Sequence, residues 1–473
     1  MKDLNTRYNQ LLQKAAAFHQ DHVFHYWPEL GTEQRKRLLQ QVEGIRFELM
    51  HDLAQKHILQ DRPAPSRPQF EPVQAIPVPT TEAEKARHSR MAEIGEALLR
   101  QGKVGTILVA GGQGTRLGFD APKGKYPISP VTQKSLFQLH AEKILALGRR
   151  YRTSIPWYIM TSETNHEETI EFFQAHRYFG LNESDVFFFK QGMMPALDRE
   201  GKLIMDRRDH IFMSPDGHGG VFAALQKSGA LEDMQQRQLE QLFYFQVDNV
   251  LVKICDPVFI GYHIEHKADM SVKVVRKRDP LEKVGVVGKI NGKLGIIEYS
   301  DMSEEELRAT DREGNLLYNA GSIAIHVLAR AFIERVATED IRLPWHVAFK
   351  KVPYIDEYGN PVKPAKPNGY KFEQFVFDAL QYVNHAVVLE VDRSEEFSPV
   401  KNAEGVDSPE TARRDLTRLF ARWLRAAGFP LPGDPRKLDE LRLEISPLYA
   451  LDEAEFLAKI NGAISIDRAF YLG

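Results

Sequence analysis

Hydrophobic residues in the first part of the chain recur at three- and four-residue spacing. They include Leu11, Leu12, Ala15 and Phe18, and a second series runs from Leu38 to Leu49. Apolar positions at this spacing line one face of a helix, so amphipathic helices are predicted between Lys2 and about Gln60. Pro28 and Gly31 interrupt the pattern, which predicts two separate helices.

A proline-rich segment follows these helices. Six prolines stand between Asp61 and Pro79. Proline lacks the backbone N–H that helices and central strands require, so we predict an extended connector over residues 61–79.

Beyond the connector, short apolar runs rich in β-branched and aromatic residues alternate with helical patterns. Helices are predicted over Thr81–Gln101 and from Glu167, and a hairpin is predicted where Asn291-Gly292 joins Val284–Ile290 to Leu294–Tyr299. This alternation predicts an α/β fold with a mostly parallel, helix-covered sheet. The predicted strands are Gly105–Ala110, Trp157–Met160, Val186–Phe189, Leu242–Val247, Met270–Arg276 and Val387–Val391.

The length of 473 residues is enough for about three domains. We predict an N-terminal helical region with the proline-rich connector over residues 1–95 and a central α/β domain over residues 96–395. From about Asn402 the chain becomes helical and charged, which predicts a small C-terminal domain over residues 396–473.

Composition narrows the classes of function. Lys and Arg total 62 against 65 Asp and Glu, a net charge of −3, so nucleic acid is not an expected partner. Cys255 is the single cysteine, which excludes an intrachain disulfide and a multi-cysteine metal site. The N-terminal residues are too polar for a secretory signal, and no apolar run approaches about 18 residues. We therefore expect a cytoplasmic protein that does not enter a membrane.

The segment Ala110-Gly-Gly-Gln-Gly-Thr-Arg-Leu-Gly118 directly follows a predicted strand and precedes Pro122-Lys123-Gly124-Lys125. Glycines at this place let backbone N–H groups converge on an anion, so the loop is a candidate phosphate-binding site. Its spacing fits neither the P-loop nor the dinucleotide-binding fingerprint. A tight turn without a ligand is the alternative.

This segment resembles the signature of UTP-dependent sugar-1-phosphate uridylyltransferases, in particular the eukaryotic-type UDP-N-acetylglucosamine pyrophosphorylases. The resemblance implies a Rossmann-like nucleotidyltransferase fold and a Mg²⁺-dependent transfer of a uridylyl group from UTP to a sugar-1-phosphate. Matching segments follow in the same order at Phe188–Pro195, Met213–Gly220, Val247–Asn249, Glu282–Val287, Tyr318–Gly321, Lys366–Gly369, Phe375–Asp378 and Phe397–Ala403.

The same resemblance assigns roles to individual residues. The catalytic cations are Arg116, Lys123 and Lys401, and Asp248 is the Mg²⁺ ligand. The nucleotide is bound by Gly111, Gly112, Gly114, Gln191, Gly192, Gly217, His218 and Asp248, and the sugar by Gly285, Glu298 and Asn319. Phe375 and Phe377 are candidates for the wall of the sugar pocket, with a place in the hydrophobic core as the alternative. The phosphate of a sugar-1-phosphate is already a dianionic nucleophile near neutral pH, so no general base is required.

Several alternatives remain open. The first expected product is UDP-N-acetylglucosamine, but the branch that makes it usually has Asn where this chain has His218, and glucose-acting relatives have His. A UDP-glucose or broad-specificity UDP-sugar pyrophosphorylase is therefore the main alternative. A non-catalytic sugar-nucleotide sensor and a Rossmann oxidoreductase are lesser ones. Asp248 could instead cap the following turn. The oligomeric state, monomer or homodimer, is also left open.

Overall fold

The computed structural model describes residues 2–60, 68–432, 438–462 and 464–473. Residues 61–67 of the predicted connector lie outside this set. The chain forms two compact units. The small unit comprises Met1–Arg67, Gly192–Gly220 and Leu343–Val376, and the sheet unit comprises Pro68–Gln191, Val221–Arg342 and Phe377–Gly473.

The α-helices are α1 (Lys2–Ala17), α2 (Thr32–Glu43), α3 (Phe47–Ala54), α4 (Glu82–Arg100), α5 (Leu136–Tyr151), α6 (His166–Ala175), α7 (Val221–Lys227), α8 (Ala230–Gln236), α9 (Pro257–Glu265), α10 (Glu304–Arg308), α11 (Arg330–Ala337), α12 (Arg393–Glu396), α13 (Pro409–Ala426) and α14 (Glu453–Lys459). The strands are β1 (Phe70–Pro72), β2 (Val104–Val109), β3 (Trp157–Thr161), β4 (Val186–Lys190), β5 (Met193–Pro195), β6 (Met205–Arg207), β7 (His210–Ile211), β8 (Met213–Pro215), β9 (Gln241–Gln246), β10 (Met270–Arg276), β11 (Val286–Ile290), β12 (Lys293–Ile297), β13 (Ala320–Ala329), β14 (His346–Lys350), β15 (Tyr354–Ile355), β16 (Pro361–Val362), β17 (Gly369–Glu373), β18 (Val388–Glu390), β19 (Arg442–Ile445) and β20 (Ala469–Leu472).

The sheet unit contains a ten-stranded sheet with the order β1-β11-β13-β9-β2-β3-β4. Strand β10 pairs with β13 and β18, and β12 pairs with β11. Strands β9, β2, β3 and β4 are parallel, with Val109 opposite both Gln246 and Met160. Helices cover this parallel half, and almost every side chain of β2, β3 and β9 is buried, which explains their continuous apolar sequences. The predicted α/β fold with a parallel core is confirmed.

Strand β13 was not predicted from the sequence. It is antiparallel to β9, β10 and β11 and joins the two halves of the sheet. Its sequence includes Gly321, Ser322 and His326, so it lacks the uniform apolar run of its neighbours. The buried His326 is accommodated because its Nδ1 donates a hydrogen bond to the Ser271 carbonyl at 3.2 Å.

The small unit is built from the predicted N-terminal helices and short hairpins. Buried Leu38, Leu39 and Val42 on α2 share a hydrophobic core with Leu197 and Phe372, which come from the two later segments of this unit. The amphipathic helices predicted in residues 2–60 are confirmed, but the second predicted helix is interrupted at Gly44 and is divided into α2 and α3.

The C-terminal residues belong to the sheet unit. Phe420 and Trp423 on α13 and Phe456 on α14 are part of the same hydrophobic core as β2 and β9. The division at residues 95 and 395 stays a prediction. Among the described residues, no helix combines the length and hydrophobicity needed to cross a membrane.

Candidate functional site

Strands β2, β9, β3 and β4 are parallel, so their carboxyl ends lie along one edge of the sheet, where open α/β folds bind their ligands. The glycine loop leaves β2 at this edge. The Lys123 N–H donates to the Gly112 carbonyl at 3.1 Å, and the Gly114 N–H donates to the Ala121 carbonyl at 2.9 Å, so the loop folds back on itself. Within the described residues, the N–H groups of Gly111 and Gly112 donate no hydrogen bond and are available to an anion.

The buried Asn165 fixes the start of the glycine loop. It lies at the carboxyl end of β3, where its Nδ2 donates to the Ala110 carbonyl at 3.0 Å and its Oδ1 accepts from the Ser162 N–H at 2.8 Å. This residue was not predicted. The available signal was a polar residue in the short loop between a buried strand and the next helix, at the same edge as the glycine loop.

Gln191 follows β4 and lies beside the loop. Its N–H donates to the Thr161 carbonyl at 2.8 Å. A β-carbon on Gly111 would lie 3.0 Å from Gln191 Oε1, so a side chain there would press on the amide. The structure thus places the Gln191 amide next to the predicted phosphate-binding glycines.

Lys123 and Asp248 form an ion pair at this edge. Lys123 Nζ donates to Asp248 Oδ2 at 2.8 Å, and only 16% and 12% of the two side chains are exposed. Asp248 follows β9, the neighbour of β2, so the sheet topology brings these residues together across 125 positions of sequence.

Two lysines determine the charge state of Asp248. Burial raises its pKa, but the positive charges of Lys123 and Lys401 and the hydrogen bond from Lys123 outweigh burial and hold the pKa below its ordinary value. Asp248 is therefore a carboxylate at neutral pH, and it faces two cations.

The segment that carries Lys401 is held beside Asp248 by two hydrogen bonds of the Asn249 side chain, which we call the Asn249 clamp. Asn249 Nδ2 donates to the Glu396 carbonyl at 2.7 Å, and its Oδ1 accepts from the Ser398 N–H at 3.0 Å. The Val400 N–H donates to the Asp248 carbonyl at 3.0 Å. The segment that carries Lys401 is thus bonded directly to the segment that carries Asp248.

Helix α5 supports the Asp248 loop from another side. His140 Nε2 donates to the Val247 carbonyl at 2.9 Å. Lys143 Nζ donates to the carbonyls of Val250 and Val252 at 2.7 and 3.0 Å. Because backbone groups on both sides of Asp248 are held, its carboxylate has a defined position.

Arg116, like Lys401, is an exposed member of the predicted cations. It lies in the short 3₁₀ turn Thr115–Leu117 of the glycine loop. Its guanidinium forms no hydrogen bond or ion pair with any residue that the structure describes. It is therefore free to bind a polyanion.

Three of the predicted sugar-binding residues lie near the start of β13. A β-carbon on Gly285 would lie 3.2 Å from Glu298 Oε1, so the absence of a side chain at Gly285 makes room for the carboxylate. The Asn319 carbonyl accepts from the N–H groups of Lys277 and Gly321 at 3.0 and 2.9 Å. Phe377, also in the sheet unit, is half-buried in the 3₁₀ helix Val376–Tyr382.

The remaining predicted residues lie in the small unit. Gly217 has a φ of +85°, and a β-carbon there would lie 2.3 Å from the Gln374 carbonyl oxygen, so only glycine fits. The Gly192 carbonyl accepts from the Asp216 N–H at 3.1 Å, which places Gly192 beside the same turn.

His218 is part of a stack of three rings. It stacks on Phe375 with ring centroids 5.3 Å apart, and Phe375 stacks on His346 at 4.3 Å. The Val376 N–H donates to His218 Nδ1 at 3.1 Å, so the neutral ring carries its proton on Nε2. Burial, with a smaller contribution from His346, lowers the pKa of His218 to about 4. His218 is therefore neutral at physiological pH.

A model of the family described as UTP–glucose-1-phosphate uridylyltransferase matches residues 58–412. The chain belongs to this family. UDP-N-acetylhexosamine pyrophosphorylase-like protein 1 of Homo sapiens is 41% identical over 476 residues, covering 93% of this chain and 91% of the relative. UDP-N-acetylglucosamine pyrophosphorylase of Saccharomyces cerevisiae is 38% identical and covers 86% of this chain and 89% of the relative.

The solved structures agree with the assignment to the uridylyltransferase family. The uridine diphosphate N-acetylglucosamine pyrophosphorylase of Trypanosoma brucei, solved with an inhibitor, superposes with a TM-score of 0.82 at 27% identity. The match covers 99% of this chain and 98% of that one. The predicted family and reaction class, uridylyl transfer from UTP to a sugar-1-phosphate, are confirmed.

In this uridylyltransferase, the sheet unit brings Lys123, Asp248 and Lys401 together, places Gln191 beside Gly111, and places Glu298 beside Gly285. Among the described residues, no three His, Cys, Asp or Glu side chains are grouped so that they could hold a metal ion. A metal at Asp248 would therefore need most of its ligands from substrate phosphates and water, which is common for Mg²⁺.

Proposed function

We propose that this member of the family makes UDP-N-acetylglucosamine from UTP and N-acetylglucosamine-1-phosphate, and that its site consists of the residues described above. The grouping of Lys123, Asp248 and Lys401 beside a glycine loop with two unbonded N–H groups carries the proposal. The name of the Saccharomyces cerevisiae relative supports N-acetylglucosamine as the sugar, and the name of the Homo sapiens relative supports an N-acetylhexosamine.

In the proposed reaction, a phosphate oxygen of the sugar-1-phosphate attacks the α-phosphorus of UTP. A new P–O bond forms, the bond between the α-phosphorus and the bridging oxygen breaks, and pyrophosphate leaves with the electron pair. Two polyanions must approach one another, so neutralising charge is the main task of the protein.

Three cations serve this task. Arg116 and Lys123 flank the glycine loop and bind the triphosphate together with the N–H groups of Gly111 and Gly112. Lys401, held by the Asn249 clamp, binds the phosphate of the sugar. Because the attacking phosphate is a dianion near neutral pH, none of these residues needs to remove a proton.

Asp248 would hold the Mg²⁺ ion. Asp248 fits this role because its carboxylate is ionised and lies at the carboxyl edge of the sheet. A single protein carboxylate is enough for Mg²⁺ when phosphates and water supply the remaining ligands. The ion, when bound, supplies further positive charge to the phosphates. Until it binds, Lys123 balances the charge of Asp248.

One observation favours a second sugar. His218 is bulkier than Asn and is held in a stack with Phe375 and His346. A larger ring leaves less space for an N-acetyl group, which favours glucose-1-phosphate as a second substrate.

The test is pyrophosphate release from UTP and Mg²⁺ with a panel of sugar-1-phosphates that includes the N-acetylglucosamine, N-acetylgalactosamine and glucose forms. We expect release with N-acetylglucosamine-1-phosphate, a lower rate with glucose-1-phosphate, and loss of both rates in the presence of EDTA. Binding of UTP without pyrophosphate release from any sugar phosphate would favour a sugar-nucleotide sensor and contradict the proposal.

A further inference from the structure

A buried cluster of charged residues lies behind the Asp248 loop in the sheet unit. Lys273, on β10, has no exposed side-chain surface. Its Nζ donates to Asp256 Oδ2 at 2.6 Å and to Glu396 Oε2 at 2.5 Å. Both carboxylates are themselves largely buried. None of these three residues was predicted from the sequence, and none lies in the glycine loop or among the residues assigned to substrate.

Glu396 connects this cluster to the candidate site. It is the last residue of α12, and its carbonyl accepts the Asn249 Nδ2 hydrogen bond of the clamp. The next residues run along the Asp248 segment, with Ser398 bonded to Asn249 and Val400 bonded to Asp248. Lys401 follows immediately. A short, fully hydrogen-bonded path therefore leads from β10 through Glu396 to Lys401.

We infer that Lys273 and Glu396 are positioning residues for the reaction, because the hydrogen bond from Lys273 Nζ to the Glu396 side chain sets where Lys401 stands relative to Asp248. The inference rests on the proposed function, in which Lys401 binds the sugar phosphate.

The Lys273–Glu396 contact affects the geometry of the site more than the stability of the protein. Apolar side chains of similar volume often stabilise a protein as well as a buried ion pair does, so the pair is weak evidence of a role in stability alone. An ammonium held between two carboxylates does, however, fix the direction and distance of both. Lys273 is anchored in the central sheet, so it fixes the end of α12, and α12 fixes the start of the segment that carries Lys401.

A displacement of about 1 Å in a group that orients substrate can lower a rate by about 100-fold. We expect Glu396→Ala to lower kcat about 10- to 100-fold. Glu396→Asp, which keeps the charge but withdraws it by one methylene, should lower kcat about 10-fold. Glu396→Gln still accepts a hydrogen bond from Lys273 and should retain most of the rate. KM for UTP should change little in all three variants, because the glycine loop is not part of this path.

Glu142→Ala is the matched control. Glu142 is also a largely buried carboxylate, and it pairs with Lys134 at 2.8 Å, but it has no link to the Asp248 segment through Asn249. Glu396 differs in having a second lysine, Lys253, at 4.0 Å. Its loss should lower the melting temperature to a similar degree as Glu396→Ala and leave kcat within about twofold. If Glu396→Ala fails to fold, Glu396→Asp carries the test alone.

A double-mutant cycle with Lys401→Ala separates the two proposals. If Glu396 acts through Lys401, then Glu396→Asp should lower kcat no more than about twofold further in the Lys401→Ala background. The inference would be overturned if Glu396→Asp lowered kcat by the same factor in the parent and in the Lys401→Ala background. It would also be overturned if Glu396→Asp and Glu396→Ala both folded and kept kcat within twofold of the parent. In either case the role of Lys401 would stand. A normal rate for Lys401→Ala would instead overturn the proposed role of Lys401 and, with it, the inference.

Discussion

Lys123 Nζ lies 2.8 Å from Asp248 Oδ2, and this ion pair links the loop after β2 to the loop after the neighbouring strand β9. In the proposed reaction each partner has a different ligand, phosphate for Lys123 and Mg²⁺ for Asp248. When these ligands are not bound, the two opposite charges neutralise each other, so neither is left unpaired in a largely buried site. Replacing Lys123 should therefore lower kcat, whereas replacing Asp248 should weaken the binding of Mg²⁺.

Lys123→Ala should lower kcat about 10²- to 10³-fold, because the ammonium stabilises charge that grows on the phosphates in the transition state. Lys125→Ala is the matched control. Lys125 lies in the same 3₁₀ turn but pairs with Glu168 at 2.5 Å, and its loss should leave kcat near that of the parent. The kcat of each variant is measured by steady-state pyrophosphate release. Equal decreases of kcat in the two variants would contradict a specific role for Lys123.

Asp248→Asn keeps the size of the side chain but removes the negative charge. The Mg²⁺ concentration for half-maximal rate should rise at least about tenfold, because neutral amides are weaker ligands for this ion than carboxylates. The measurement is a Mg²⁺ titration at saturating substrates, with the melting temperature as the check on folding. An unchanged titration curve would remove Asp248 from the metal site.

His218→Asn should shift the preference toward N-acetylglucosamine-1-phosphate by widening the space beside Phe375. A hydrogen-bond exchange is worth about 1 kcal/mol, so the ratio of kcat/KM for the N-acetylamino sugar phosphate to that for glucose-1-phosphate should rise several-fold. If the ratio stays the same in both proteins, His218 does not set specificity, and Glu298, Asn319 and Phe377 become the residues to test.

Acid should destabilise the protein through buried histidines. Burial lowers the pKa of His140 and of His263 to about 3, with a smaller contribution from Lys143 at His140. As the pH falls below about 6.5, the unfolded chain takes up protons that the folded protein does not, so the free energy of unfolding decreases by about 1.4 kcal/mol per pH unit for each such histidine. His140→Gln keeps a donor for the Val247 carbonyl and cannot titrate.

Urea unfolding of the parent and of His140→Gln between pH 7.5 and 4.5 tests this expectation. The difference between the two proteins at pH 7.5 is the baseline, because both side chains are uncharged there. Toward pH 4.5 the free energy of unfolding should decrease less steeply for His140→Gln than for the parent. The two slopes should differ by about 1.4 kcal/mol per pH unit, the contribution of one proton. Parallel curves would show that His140 is protonated in the folded protein.

Asn165→Ala should leave the Ala110 carbonyl and the Ser162 N–H without their partner in a buried place. The expected cost is about 1–3 kcal/mol of stability. The start of the glycine loop should also lose its fixed position, so KM for UTP should rise more than KM for the sugar-1-phosphate. Initial-rate kinetics with each substrate varied in turn distinguish this result from a general loss of stability, which would lower the rate without changing either KM.

The sequence predicts the parts of the site that follow directly from buried strands. The glycine loop after β2 and Asp248 after β9 were predicted in this way, because apolar runs identify the strands and parallel strands end at one edge. Gln191 after β4 was predicted only from the resemblance to the family. Strand β13 was missed because Gly321 and His326 break its apolar pattern. Asn165, Asn249 and the Lys273–Glu396 pair were missed for another reason. Their roles depend on partners that only the fold brings near, such as Glu396 at 123 positions from Lys273.

The small unit is assembled from three separate stretches of chain, the last of which ends at Val376. During synthesis its three helices emerge first, but Phe372, which completes their hydrophobic core, is translated about 300 residues later. At about 5–20 residues per second the ribosome needs roughly 15 to 60 s to cover that stretch. Throughout this interval the hydrophobic core that α2 shares with α1 and α3 lacks its last members. The apolar surface left exposed makes the nascent chain prone to aggregation, and a chain truncated just before Phe372 should be less soluble than the full chain even though it contains every N-terminal helix.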